Sequence, residues 1–245
     1  MHIVRATRDL PAGTELRFLY AWPSSTDDYT AIQKNFQHWK FTCDCGMCIA
    51  AKNTSGAFMQ RRLESRERAF SFLQDLEHTE HINMEYAEDC LYEMELTYPM
   101  KASSAPRIAA AEVGIHIARE FCVRGEVSQR KGLIAKGKRE MRKVFLAASK
   151  VLENLGFIIE KVEGEDDYIP RRCILHWGIA VHGIVECMAV IWSYHLLNGT
   201  PELAQQFQEF AKTAYRIIYG EDETFETEVG AKVRESVGKG VMWSI

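Results

Sequence analysis

Three cysteines within six residues constrain this chain more than any other feature. Cys43, Cys45 and Cys48 follow a C-x-C-x-x-C spacing, with Gly46 between the second and the third. This spacing lets three sulfurs converge on one point from a single tight turn, and the glycine frees the backbone there. Thiolates are typical ligands of structural zinc, which takes four ligands in a closed tetrahedral site. The turn therefore predicts a zinc site, and three incidental reduced thiols are the alternative.

The fourth zinc ligand cannot be identified from the residues next to this turn. The other cysteines, Cys90, Cys122, Cys173 and Cys187, lie far downstream in segments with helical periodicity, where a free cysteine usually packs as a small apolar residue. Seven cysteines without paired spacing argue against a disulfide framework and for a reducing compartment. The N-terminus shows no apolar stretch typical of a signal peptide. We expect an intracellular protein, of the nucleus or the cytoplasm.

The residues around the cysteines predict a hairpin followed by a short helix. Residues 2–8 and 14–20 alternate and are rich in β-formers, and a Leu-Pro-Ala-Gly turn joins them. Residues 30–39 form an amphipathic helix in which Ile32, Phe36 and Trp39 share one face. This helix delivers its aromatic residues to the cysteine turn, and residues 52–56 follow as a linker.

The remainder of the chain has the apolar periodicity of helices joined by short loops. We predict helices over 57–78, 83–97, 106–123, 128–155, 168–198 and 201–219, with 224–245 as an irregular tail. Gly125 and Gly156 are predicted helix stops. The fold is thus predicted to be mainly α, with antiparallel helices stacked as a TPR-like array. No 34-residue repeat can be identified.

Two downstream features invite functional interpretation. The segment 173–197 is apolar enough to suggest a membrane span, but it contains Glu186 and three histidines, which favours a buried helix. His182 and Glu186 share a helical face and could bind a metal or act as acid and base. With no third partner visible, a hydrogen-bonded pair is the simpler interpretation.

The helix predicted from residue 128 is strongly basic. Its cations are Arg130, Lys131, Lys136, Lys138, Arg139, Arg142 and Lys143. Such a run is usually a solvated face. The alternatives are a contact for acidic protein tails or nucleic acid, or docking of the acidic run 221–228 of the same chain.

The segments around the cysteines resemble a known family. Residues 3–16 (IVRATRDLPAGTEL), followed by Tyr20, resemble the end of a SET domain, and the aromatic-x-Phe-x-Cys-x-Cys-x-x-Cys segment is similar to its post-SET zinc module. SET domains are protein-lysine methyltransferases that use S-adenosylmethionine. The nearest branch is the SMYD-like group and related fungal SET proteins with TPR-like helices. The resemblance implies residues 1–50 as the SET end with the cysteine module, and 57–245 as a helical domain.

The resemblance also implies roles for individual residues. Tyr20 would lie beside the lysine channel and orient the target amine. Trp39 would line that channel, and Phe41 would stack on the adenine of the cofactor. The three cysteines of the turn would hold zinc. Taken alone, a tyrosine that ends a strand is more often only a packed aromatic residue.

Departures from the family pattern limit what this chain is expected to do. The glycine-rich cofactor segment and the Asn-His motif, with the cysteine that completes the zinc site, cannot be placed ahead of residue 3. We therefore expect the C-terminal portion of a SET protein, inactive by itself and acting on a protein substrate or a partner peptide. The alternative is a non-catalytic helical interaction scaffold with a zinc knuckle. A zinc-knuckle nucleic-acid binder is disfavoured, because the net charge is −4 and the basic residues lie away from the cysteines.

Overall fold

The structure, a computed structural model, is built mainly from α-helices and one two-stranded antiparallel sheet. It describes residues 11–13, 24–75, 83–98, 105–162, 171–179 and 183–242. The hairpin predicted over 2–8 and 14–20, with Tyr20 at its end, falls outside these ranges except for its turn, where Gly13 has a φ of +85°.

The segment that carries the cysteines folds into short helices. Helix α1 (Tyr29–Asn35) begins after Asp28, whose carboxylate accepts the backbone N–H of Ala31 at 2.8 Å. A one-turn 3-10 helix (Gln37–Trp39) and helix α2 (Gly46–Asn53) follow. The helix predicted over 30–39 is therefore present as two pieces. The predicted linker over 52–56 is wrong in part, because α2 continues to residue 53 and only two residues separate it from the next helix.

Six long helices form the bulk of the molecule as three neighbouring pairs. The first pair is α3 (Gly56–Asp75) with α4 (Glu85–Glu95), the second α5 (Ile108–Arg130) with α6 (Ile134–Asn154), and the third α7 (Gly183–Leu197) with α8 (Pro201–Tyr219). Gly132 and Gly199 have φ of +74° and +69° in the three-residue connections of the second and third pairs. Such short connections force the helices of the second and third pairs to run back along each other. A TPR-like repeat stays a prediction.

The core lies between these pairs. On α6, Val144, Ala148, Val151 and Leu152 recur at helical spacing and are fully buried. Helix α7 buries Ile184, Val185 and every residue from Cys187 to Ser193, so the interpretation of the apolar segment as a buried helix holds for its second half. Within the described ranges, no helix is both long and apolar enough to cross a bilayer.

The second strand of a β-hairpin lies where the first part of the helix over 168–198 was predicted. Strand β1 (Ile158–Val162) pairs antiparallel with β2 (Arg171–His176), with Ile159 opposite Ile174. The β-branched residues of β1 favour an extended backbone. After β2 the chain returns to the end of α6, where Ile179 donates its N–H to the carbonyl of Leu155 at 2.9 Å. The prediction of a single long helix was therefore wrong.

Two further boundaries differ from the prediction for a packing reason. Helix α5 continues through Gly125 to Arg130, and Gly125 packs in van der Waals contact with Glu140 and Met141 of α6. Helix α6 consequently begins at Ile134 rather than at 128, although Gly156, with a φ of +88°, follows its end as expected.

The predicted irregular tail is instead a π-helical turn (Glu226–Gly230) and helix α9 (Ala231–Gly238). They bury Phe225, Val229 and Val233.

Candidate metal centre

The three cysteine sulfurs of the turn converge as their spacing predicts. The Sγ atoms of Cys43, Cys45 and Cys48 all lie within 4.8 Å of one another. Zn–S bonds of about 2.3 Å place the sulfurs of a tetrahedral zinc site about 3.8 Å apart, so a small contraction would close this cluster around an ion. Cys48 is only 3% exposed and the other two thiols are half-buried. Their geometry and their soft donor atoms both fit zinc.

The turn is held from outside by helix α1. The side chain of Gln33 bonds to both backbone polar groups of Cys43: its Nε2 donates to the carbonyl at 3.1 Å, and its Oε1 accepts the N–H at 2.9 Å. The Gln33 amide thereby satisfies both backbone polar groups of Cys43 and holds the first candidate ligand of the cluster in place. Nothing in the spacing of the sequence identifies Gln33, since a single glutamine on an exposed helix is unremarkable until its neighbour in space is known.

Helix α2 positions the other two sulfurs. Cys45 is the residue that precedes the helix, and Cys48 lies in its first turn. Gly46 is the first helical residue and does not have a positive φ; Lys40, with a φ of +57°, takes the left-handed conformation instead. The cysteines are thus displayed by a turn and a helix N-terminus, not by a single glycine-dependent turn as predicted.

The surroundings of the thiols shift their pKa values in opposite directions. Burial raises the pKa of Cys45, but this is outweighed by hydrogen bonds from the backbone N–H groups of Cys48 and Met47 and from the neighbouring thiols, so its pKa lies below the ordinary value. The pKa of Cys48 is raised, first by burial and then by hydrogen bonds to the thiols of Cys43 and Cys45. Cys45 is therefore the thiol of this pair that is more readily ionised as a ligand.

The described residues supply three ligands to this cluster and no fourth. Cys90, Cys122 and Cys187 are buried in α4, α5 and α7, which agrees with the expectation that they pack as small apolar residues. Cys173 lies half-buried on β2.

Two of the three predicted aromatic site residues lie immediately ahead of the cluster. The ring of Phe41 stacks on Phe36 with centroids 5.3 Å apart and is 37% exposed. Trp39 is 52% exposed and contacts the ring of His38 at 4.8 Å, so it does not share the buried position of Phe36 as the predicted helix face required. Tyr20 lies outside the described residues, and its role stays a prediction.

The charged features of the sequence are placed elsewhere in the fold. His182 of the His182–Glu186 pair lies outside the described residues. On α6, the side chains from Lys136 to Lys143 that carry positive charge are exposed. The acidic run does not dock against them, because Asp222, Glu226 and Glu228 form ion pairs with cations of α8 and α9. The solvated-face interpretation of the basic run therefore agrees with the structure, and the alternative of intramolecular docking does not.

Comparison with known proteins gives one informative similarity. The chain matches no protein-family profile and no solved structure. A protein of Gibberella zeae named methyltransferase is 28% identical to it over 238 residues, covering 92% of this chain and 29% of that protein. The chain thus spans less than a third of the relative's length.

Proposed function

We propose that this chain is part of a SET-domain protein that transfers a methyl group from S-adenosylmethionine to a lysine side chain of a protein. The convergence of three cysteine sulfurs directly after Phe41 carries this proposal, because it is the arrangement that the post-SET resemblance implies. The similarity to a methyltransferase over most of the chain supports it.

In this proposal the cysteine cluster is structural. Cys43, Cys45 and Cys48 would hold zinc and thereby tie the end of the Trp39–Phe41 segment to α2. Gln33 ties the same segment to α1. The metal would order a stretch that otherwise has little secondary structure, so zinc binding and local folding are coupled.

The aromatic residues supply the proposed contacts with cofactor and substrate. Phe41 would stack on the adenine, and its packing on Phe36 orients the ring for that contact. Trp39 would line the lysine channel, where an aromatic wall tolerates both the ammonium and the neutral amine. Tyr20 would orient the amine toward the methyl group. S-adenosylmethionine supplies an electrophilic methyl sulfonium when bound, and the chain's contribution is positioning.

Calorimetric titration with S-adenosylhomocysteine, with zinc content measured on the same sample, tests the proposal. We expect stoichiometric zinc and weak binding of S-adenosylhomocysteine, because the glycine-rich cofactor segment cannot be placed in this chain. Phe41→Ala should weaken that binding about tenfold further, the loss typical of one stacked base. Phe58→Ala is the matched control, since Phe58 is a comparably exposed phenylalanine on α3. A folded, zinc-loaded chain that binds no S-adenosylhomocysteine would contradict the proposal and favour a non-catalytic interaction scaffold.

A further inference from the structure

Helix α3 contributes a buried arginine that has no carboxylate partner. Arg62 is 8% exposed, and its Nε and Nη2 donate to the hydroxyl and the carbonyl of Thr97 at 2.9 and 3.2 Å. In the described part of the chain no carboxylate forms an ion pair with it. Burial lowers the pKa of Arg62, which shows that its charge is poorly compensated. A buried charge is costly unless an opposite charge accompanies it.

A second arginine approaches the same place from the start of α5. The guanidinium carbon of Arg62 lies 3.8 Å from the centre of the Tyr98 ring, and that of Arg107 lies 5.7 Å from it. Arg107 likewise forms no ion pair within the described ranges. It directly precedes the 23-residue helix α5, whose N-terminal end adds positive potential at this point. Two guanidinium groups that form no ion pair with a described carboxylate, and a helix N-terminus, therefore converge around one tyrosine.

These groups border a small cavity of about 80 Å³ between the cysteine-bearing segment and the long helices. Arg62, Tyr98 and Arg107 line it, and so do Ser25, Asp27 and Thr54. Asp27 does not form an ion pair with either arginine. The cavity thus combines two cations with one carboxylate that can accept a hydrogen bond from a ligand.

We propose that this cavity binds a phosphate group. The two guanidinium groups would donate to its oxygens, the pairing for which arginine is best suited. Asp27 favours an oxyanion that carries a proton to donate, so phosphate should bind more tightly than sulfate, which has the same shape and no proton at neutral pH. The bound anion would join α2, α3 and α5 through charge-assisted hydrogen bonds. This proposal does not depend on methyl transfer.

Calorimetric titration of the chain with sodium phosphate, at constant ionic strength in a phosphate-free buffer, tests the site. We expect saturable binding that is weakened about tenfold by Arg107→Gln, the loss expected for a charge-assisted hydrogen bond. Arg130→Gln is the matched control, since Arg130 lies at the opposite end of α5 and its side chain is 73% exposed. Arg62→Lys keeps the buried positive charge but lacks the forked guanidinium geometry, so it should also weaken phosphate binding. Circular dichroism checks that this variant is folded.

Two comparisons identify the ligand. Sulfate should bind more weakly than phosphate, and Asp27→Asn should reduce this difference. A phosphoserine peptide that displaces inorganic phosphate would assign the site to a phosphorylated partner, whereas failure to displace it would assign the site to free phosphate. The proposal is overturned if phosphate does not bind saturably, or if Arg107→Gln and Arg130→Gln bind it as tightly as the unaltered chain.

Discussion

Gln33 and Cys43 form a closed pair of hydrogen bonds, with the glutamine amide bonded to both the carbonyl and the N–H of the cysteine backbone at 3.1 and 2.9 Å. This pair joins α1 to the first residue of the thiol cluster across ten positions of sequence. The first thiol is therefore held by an element that precedes the cluster, whereas the second and third are held by α2.

Gln33→Ala should weaken zinc binding although it removes no ligand. Without the amide, the backbone of Cys43 is free to move, and supporting groups around a metal typically contribute about tenfold or more to its affinity. Competition with a chromophoric chelator measures the change. Gln37→Ala, an exposed glutamine in the next turn, should leave affinity unaltered. Equal affinity in both variants would show that Gln33 does not support the site.

The variants Cys45→Ser and Cys90→Ser should distinguish a cysteine that binds zinc from a cysteine that packs in the core. Cys45→Ser should leave the purified chain with substoichiometric zinc, because serine is a poor zinc ligand. Cys90→Ser should retain zinc but lower the free energy of unfolding by about 1–3 kcal/mol, because its hydroxyl is buried at a 2% exposed position. Elemental analysis and urea denaturation distinguish the two effects. Zinc loss in Cys90→Ser would make Cys90 the fourth ligand and refute this separation.

His195 should make stability fall as the pH is lowered. Its Nδ1 lies 2.8 Å from the Thr200 hydroxyl, which itself donates to the His195 carbonyl, so the ring donates to Thr200. Burial, and then the charge of Arg172, lower the pKa of His195 below its ordinary value of 6.5. The unfolded chain therefore binds more protons, and this contribution is complete above about pH 6.5 and is lost as the pH falls through the folded pKa.

Urea denaturation between pH 7 and pH 5 measures this effect. His195→Asn should be less stable at pH 7 by about 1 kcal/mol, since it disturbs a hydrogen bond, but its stability should depend less on pH. His38→Asn, at an exposed position, should keep the slope of the unaltered chain. His116 also has a pKa lowered by burial, so part of the slope should remain. If the free energy of unfolding of His195→Asn depends on pH as steeply as that of the unaltered chain, His195 is not the source of this pH dependence.

Gly178→Ala should be strongly destabilising. A Cβ at this position would overlap the carbonyl of Leu155, with its carbonyl carbon only 2.8 Å away, and backbone cannot move aside as a flexible side chain can. We expect a loss of about 2 kcal/mol or more in the free energy of unfolding. Gly238→Ala, where nothing lies within 4 Å of a new Cβ, should be neutral or slightly stabilising. Similar denaturation midpoints for both variants would rule out this close approach.

Local patterns predicted those elements whose signals lie within a few residues. The helices over 57–78, 83–97 and 201–219 were found near their predicted bounds, because an apolar stripe and a clear stop act locally. Pro201 opens α8, and Gly220, with a φ of 84°, closes it. The cysteine spacing likewise predicted that the three sulfurs converge, since six residues cannot hold them far apart.

Tertiary contacts decided the rest. The apolar run that begins at Ile158 suits a helix or a strand equally well, and it becomes a strand only because a second strand pairs with it. The local sequence predicts that a helix ends at Gly125. In the fold, α6 packs against Gly125 and α5 continues through it. The pairing of Gln33 with Cys43 and the meeting of Arg62 with Arg107 join residues far apart in sequence. Such contacts arise from packing between elements, which periodicity and spacing do not encode.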